Sequence, residues 1–105
     1  MKQLNNYIVE KLNKISSKNT GQTYNYFPKD KKELEKIIED LIKERGNKAD
    51  LNDIDTSEIT DMRELFIYSN FNGDISKWNV SNATTTNDIF YNSPLQNNPP
   101  KWYKK

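Results

Sequence analysis

Slid against itself by 24 residues, the C-terminal half of this 105-residue chain matches itself without a gap. Trp78 falls on Trp102, Ile54 on Trp78, Asp50 on Asp74 and Ser57 on Ser81. Thr60 falls on Thr84, Phe66 on Phe90, Ser69 on Ser93 and Lys77 on Lys101. Chemically similar residues fill the remaining places: Leu51 and Ile75, Leu65 and Ile89, Phe71 and Leu95, Asp55 and Asn79. A fixed period of this kind constrains the fold strongly, because each unit buries its apolar face mainly against its neighbours. The stretch DISKWNVSN, residues 74–82, is one turn of that recurring unit. Its Trp78 occupies a packing position that recurs as Ile, Trp and Trp.

Within a unit, apolar residues at 59, 62, 65 and 66 have the spacing of one face of a short helix. Thr60 is placed to cap that helix, and Asp61 to favour its positive end. Gly73 turns the chain. DISKW is expected to lie extended beside LNDID and NPPKW as short parallel strands, with Pro99 and Pro100 at an edge where no ladder donor is needed. The expected fold class is α/β (α+β): a short leucine-rich-type solenoid of two to three 24-residue coils with an amphipathic-helix N-terminal cap. Its repeats are residues 51–74, 75–98 and a partial 99–105, within a region 49–105.

Residues 1–48 form the expected capping segment of the same compact domain. DKKELEKIIEDLIKERG carries Leu34, Ile37, Ile38, Leu41 and Ile42 on one face, which predicts a helix over about 30–45. Asp30 with Glu33 makes a capping box, and Gly46 closes the helix. Lys36–Asp40 and Glu39–Lys43 are spaced to pair on its outer face. A weaker amphipathic pattern, Leu4, Ile8, Leu12 and Ile15, predicts a second helix over about 2–16. QTYNYF reads as a short strand stopped by Pro28.

FNGDISKWNVSNATTTNDIFYNS resembles the repeat of BspA-like leucine-rich-repeat proteins, whose units run approximately F-N-x-D-[IL]-S-x-W-[DN]-[VT]-S-x-V-T-x-M-x-x-M-F. IDTSEITDMRELF is similar to the same unit, and the flank from Tyr26 to Met62 resembles the helix that precedes such repeats. The resemblance covers about residues 24–98. It implies a repeat fold and a role in recognition, since members of that family are often surface proteins acting in adhesion.

Composition narrows the chemistry. The chain has neither Cys nor His, so thiol nucleophiles, cysteine zinc sites and imidazole catalysis are excluded. Six Tyr, four Phe and two Trp are enough to build a core in a chain only 33% hydrophobic. Residues 1–48 hold eleven Lys/Arg and seven Asp/Glu, and residues 49–105 hold five and eight. Neither half reads as a nucleic-acid surface by charge alone. Tyr24, Tyr26 and Phe27 beside Lys29, Lys31 and Lys32 are the one cluster that suits stacking on a nucleic acid. Asp53, Asp55, Ser57, Asp61 and Glu64 fit several places of a calcium loop, but Glu58 stands where that loop needs Gly. The longest apolar run near the start is YIV, which is no secretory leader, and no stretch has the length of a membrane span. A cytoplasmic location is expected, with no membrane partner, no cofactor and no metal.

No spacing isolates a catalytic carboxylate pair, and there is no phosphate-binding glycine loop. The expected function is therefore a non-enzymatic protein-interaction module. Its expected partner-binding residues are Tyr68, Lys77, Trp78, Tyr91, Lys101, Trp102 and Tyr103. The expected partner is a protein, with a homodimer through the C-terminal end as a second arrangement. An inhibitor of a host complex such as a defence nuclease, encoded by a phage or mobile element, is one form of this role. A truncated surface-recognition repeat and a nucleic-acid binder acting through the basic N-terminal half are the alternatives.

Overall fold

A computed structural model describes residues 23–104. The helix expected at 2–16 lies outside them. The first described element is α1, Lys31–Arg45. The Asp30 side chain accepts from the Glu33 N–H, and the Glu33 carboxylate accepts in return from the N–H of Lys29. The return bond thus reaches one residue before the cap, where the usual capping box closes on the cap itself. Gly46 ends the helix with φ 91°, a left-handed value that suits Gly. Lys31–Glu35 and Lys36–Asp40 ion pairs line the outer face, each adding a few tenths of a kcal/mol. The inner face is apolar: Leu34, Ile37, Ile38 and Leu41 are buried in one cluster with Ile54, Ile59, Met62 and Phe66.

Beyond the helix the chain turns repeatedly, and the expected solenoid is not formed. Among the described residues there is one α-helix, a single 3₁₀ turn at Pro94–Gln96 and no sheet. Isolated parallel bridges Tyr26–Ile54 and Asp50–Asp74 stand at or beside the expected strands, and a third, Asp61–Thr85, falls in the segment expected to be helical. The described body measures 37 × 28 × 22 Å, with a Cα radius of gyration of 13.1 Å. The α/β leucine-rich-type assignment is corrected accordingly.

The reason lies in short polar side chains. Asp50, Asp55, Asp61, Asp74 and Asn79 each accept, through Oδ1, the backbone N–H two residues on. Ser69 does the same with Phe71. Such side-chain bonds compete directly with ladder formation and bend the chain at each site. The extended runs between bends are therefore too short to become strands. Of the residues considered as a calcium loop, Asp55 and Asp61 make such bends and Asp53 binds Arg45. Among the described residues, no group of three or more acidic side chains is placed to hold a metal ion.

The short helix expected from the apolar residues at 59, 62, 65 and 66 is also absent. Residues 63–68 and 87–92 each form a ribbon of successive turns. The N–H groups of Met62, Glu64, Phe66 and Tyr68 donate to the carbonyls of Thr85, Asn87, Ile89 and Tyr91, at 2.9–3.1 Å. A helix would have needed those donors for its own carbonyls. Glu64 and Tyr68 take left-handed φ values of 61° and 55°, and Asp88 and Asn92, 24 residues on, take 56° and 53°. At Glu64 and Tyr68 this costs about 1–2 kcal/mol each, and less at Asp88 and Asn92. Four inter-ribbon bonds, at about 1 kcal/mol each, and burial of the side chains offset that cost. An isolated helix of this length is marginal in water, so tertiary pairing wins over local preference.

Side chains follow the same offset. Phe66 and Phe90 stack at 5.9 Å, and Trp78 and Trp102 lie nearly parallel at 6.3 Å. The Trp78 and Trp102 indole N–H groups donate to the carbonyls of Leu51 and Ile75, at 3.0 and 2.8 Å. Gly73 is required by close approach, since a Cβ there would collide with the Ala49 carbonyl oxygen. Arg45 joins the helix end to this body with two 3.0 Å bonds to the Asp53 carboxylate, which Asn25 also reaches at 3.0 Å.

Helix and turn ribbon respond oppositely to one substitution. Glu64→Gly is expected to be neutral or to stabilise by up to about 1 kcal/mol, because Gly relieves the left-handed strain. Glu64→Val is expected to cost about 1–2 kcal/mol at the same position. Urea unfolding midpoints measure both. A loss of about 1 kcal/mol for Glu64→Gly would instead be the signature of a helix interior.

Candidate functional site

The ribbon geometry decides which aromatic rings reach the surface. Tyr68 and Tyr91 are joined by the Tyr68 N–H bond to the Tyr91 carbonyl, and the left-handed turn at Tyr68 leaves its ring 67% exposed. Tyr91 is 44% exposed, and the two rings meet edge to face at 5.7 Å. Among the described residues these are the exposed large hydrophobic side chains.

Phe90 lies next to Tyr91 in the chain but points inward. It contacts Trp102 at 6.0 Å and Tyr103 at 5.1 Å, the latter edge to face. Tyr103 is held in a turn by its N–H bond to the Pro100 carbonyl. It stands between two shallow hollows. One is lined by Asp88, Phe90, Tyr91, Gln96 and Tyr103. The other is lined by Val80, Ala83, Thr86, Trp102, Tyr103 and Lys104. Tyr68, Tyr91, Tyr103 and the half-buried Trp102 thereby adjoin one another.

Not every expected residue belongs to that group. Trp78 is only 4% exposed, beneath Trp102 and bonded to Leu51, so it packs the interior and offers no ring to a partner. Lys77 and Lys101 are exposed but line neither hollow beside Tyr103. The cluster weighed for nucleic-acid stacking is partly consumed by the fold: Tyr26 is buried, and Tyr24 packs edge-on against Phe27.

Three residues beside these rings were not singled out by side-chain chemistry, because what they contribute is backbone. Thr86, Asp88 and Phe90 are the 24-residue counterparts of Met62, Glu64 and Phe66. Their N–H groups have no hydrogen-bond partner among the described residues. The fourth counterpart, Asn92, donates to the Gln96 side chain at 2.9 Å. A usable signal was present in NDIFYN: Asp and Asn four residues apart tolerate left-handed backbone better than most residues.

The shifted carboxylates lie elsewhere and serve structure. Burial pushes the Asp53 carboxyl up, but bonds from Arg45 and Asn25 outweigh it and hold the group below its ordinary value. Asp61 is drawn down to about 2, first by the Arg63 guanidinium and then by the Arg63 backbone N–H. Asp74 is also drawn down to about 2, first by the Ser76 hydroxyl, then by the Ser76 N–H and the Asn52 side chain. A carboxylate that ionises so readily is a poor general base.

Residues 32–104 match the family described as a Mycoplasma protein of unknown function, DUF285. The chain belongs to that family. This finding overturns the BspA-like leucine-rich-repeat assignment, and the compact body with almost no strands removes the solenoid description that went with it. No curated protein and no solved structure matches the chain.

Because Asp53, Asp61 and Asp74 all have lower pKa values folded than unfolded, the folded state binds fewer protons in acid. Their stabilisation is complete above the unfolded value of about 4 and is lost as pH falls toward 2. The melting temperature should therefore fall steadily between pH 5 and 2, in the range set by those values. Asp74→Asn should flatten that fall, since Asn79 forms the same turn with an uncharged side chain. An Asp74→Asn profile parallel to that of the unsubstituted protein would show that Asp74 contributes no acid sensitivity.

Proposed function

We propose that this chain is a non-enzymatic protein-interaction module whose contact surface is the aromatic patch formed by Tyr68, Tyr91, Trp102 and Tyr103. The observation that carries the reading is the exposed edge-to-face pair Tyr68–Tyr91 continuing into the hollow beside Tyr103. Tyr and Trp are enriched where proteins meet, because a rigid ring buries much area at little entropic cost while its polar atom still finds a partner. The chemistry of the rest supports the same reading. The most strongly lowered carboxylates are bound in turns, and the Ser76 hydroxyl donates to one of them, Asp74, which ionises too readily to serve as its base. Among the described residues no helix is long and apolar enough to cross a membrane. Action in the cytoplasm, with a protein rather than a lipid or nucleic acid as partner, is part of this proposal.

The test compares the unsubstituted chain with the Tyr68→Ala/Tyr91→Ala variant as bait in a lysate of the source cells. Captured proteins are quantified by mass spectrometry. At least one protein should lose tenfold or more of its capture on substitution, while the melting temperature changes little because both rings are exposed. Capture unchanged by the substitution, or capture of nucleic acid that collapses with added salt, would contradict the reading.

A further inference from the structure

The first ribbon shows how the second can be used. Along residues 62–68, every second N–H points to a neighbouring segment and finds a carbonyl: Met62 to Thr85, Glu64 to Asn87, Phe66 to Ile89 and Tyr68 to Tyr91. The second ribbon repeats the first in conformation, with left-handed residues at Asp88 and Asn92 matching those at Glu64 and Tyr68. It repeats the donors as well. Thr86, Asp88 and Phe90 each present an N–H that no described group accepts, while Gln96 closes the last place at Asn92. Phe90 is 2% exposed as a whole residue, and an N–H without an acceptor among the described residues is uncommon at so covered a position.

We propose that this row takes up a turn-forming polypeptide segment of another protein. Alternate carbonyl oxygens of the segment accept from Thr86, Asp88 and Phe90, as residues 85–91 accept from the first ribbon. The proposal deepens the protein-interaction reading and rests on it: the hollows on either side of Tyr103 flank the same row. Backbone donors supply affinity without reading sequence, and the flanking pockets supply selectivity. The conformation of the row also specifies its partner. The segment that fills the first ribbon is left-handed at Asp88 and Asn92, four residues apart. A ligand following the same path therefore carries Asn, Asp or Gly at a four-residue spacing, the residues that enter this region at least cost. An apolar side chain between them is placed to meet the Phe90 and Tyr103 rings.

The chain itself provides the probe. A synthetic peptide TTTNDIFYNS, residues 84–93, has the required spacing and reproduces the segment that fills the first ribbon. Amide hydrogen exchange is followed by NMR on the full chain, with and without this peptide. In the free protein, Thr86, Asp88 and Phe90 amides should exchange at least tenfold faster than those of Met62, Glu64 and Phe66. The peptide should slow them at least tenfold. A peptide with Val replacing both the Asp and the second Asn should bind at least tenfold more weakly, since Val resists left-handed backbone. Slow exchange already in the free chain at low concentration, or no effect of the peptide, overturns the proposal. Protection that rises with protein concentration alone also overturns it, in favour of a second copy of this chain as the occupant. Peptide binding that is lost in Tyr68→Ala/Tyr91→Ala but leaves the three amides unprotected overturns the backbone mode while leaving the protein-interaction reading in place.

Discussion

The row of backbone bonds from Met62, Glu64, Phe66 and Tyr68 to Thr85, Asn87, Ile89 and Tyr91 is what the rest of the structure depends on. It fixes the offset between the two C-terminal segments. With that offset fixed, Phe66 meets Phe90, Trp78 meets Trp102, and each indole reaches the carbonyl 27 residues before it. A slip along the row would separate these pairs and leave two indole donors without acceptors in a largely buried environment, at about 1–3 kcal/mol each. The backbone and the rings therefore enforce one another. α1 then covers the apolar face of the first segment, and the Arg45–Asp53 pair fastens its end.

Much of this was legible in the sequence, though not the form it takes. The helix at Lys31–Arg45 follows from a plain apolar stripe with a cap at each end, and such local signals survive any context. Which residues pair was visible too, because like residues recur 24 positions apart. What the period could not show was backbone conformation. A spacing of 59, 62, 65 and 66 suits a helix face, yet it equally suits a turn ribbon that projects the same residues inward. Glu64 and Tyr68 give no warning of left-handed geometry, since neither is a residue that adopts it readily. Strands were expected at DISKW and LNDID from their place in the period, but Asp50, Asp55 and Asp74, at or beside the ends of those stretches, bend the chain by accepting from the backbone two residues on. The family comparison corrected the kinship, and the geometry corrected the fold class.

The surface divides in the same way. Tyr68, Tyr91, Trp102 and Tyr103 were chosen by ring chemistry and lie next to one another, Tyr68 against Tyr91 and Tyr103 between the two hollows. Trp78 was chosen by the same reasoning and lies inside, because a Trp that recurs in register has a ring above it to stack on. The N–H row at Thr86, Asp88 and Phe90 has no side-chain signature, since every residue but Pro carries such a donor. Only the arrangement of the first ribbon reveals that these three stand in phase.

Scalar couplings across hydrogen bonds, between amide nitrogen and carbonyl carbon, test the central claim most directly. In the isotope-labelled protein, the nitrogens of Met62, Glu64, Phe66 and Tyr68 should couple to the carbonyl carbons of Thr85, Asn87, Ile89 and Tyr91. Couplings from those nitrogens to carbonyls four residues earlier in their own segment, with none across to residues 85–91, would establish a helix there and contradict the account.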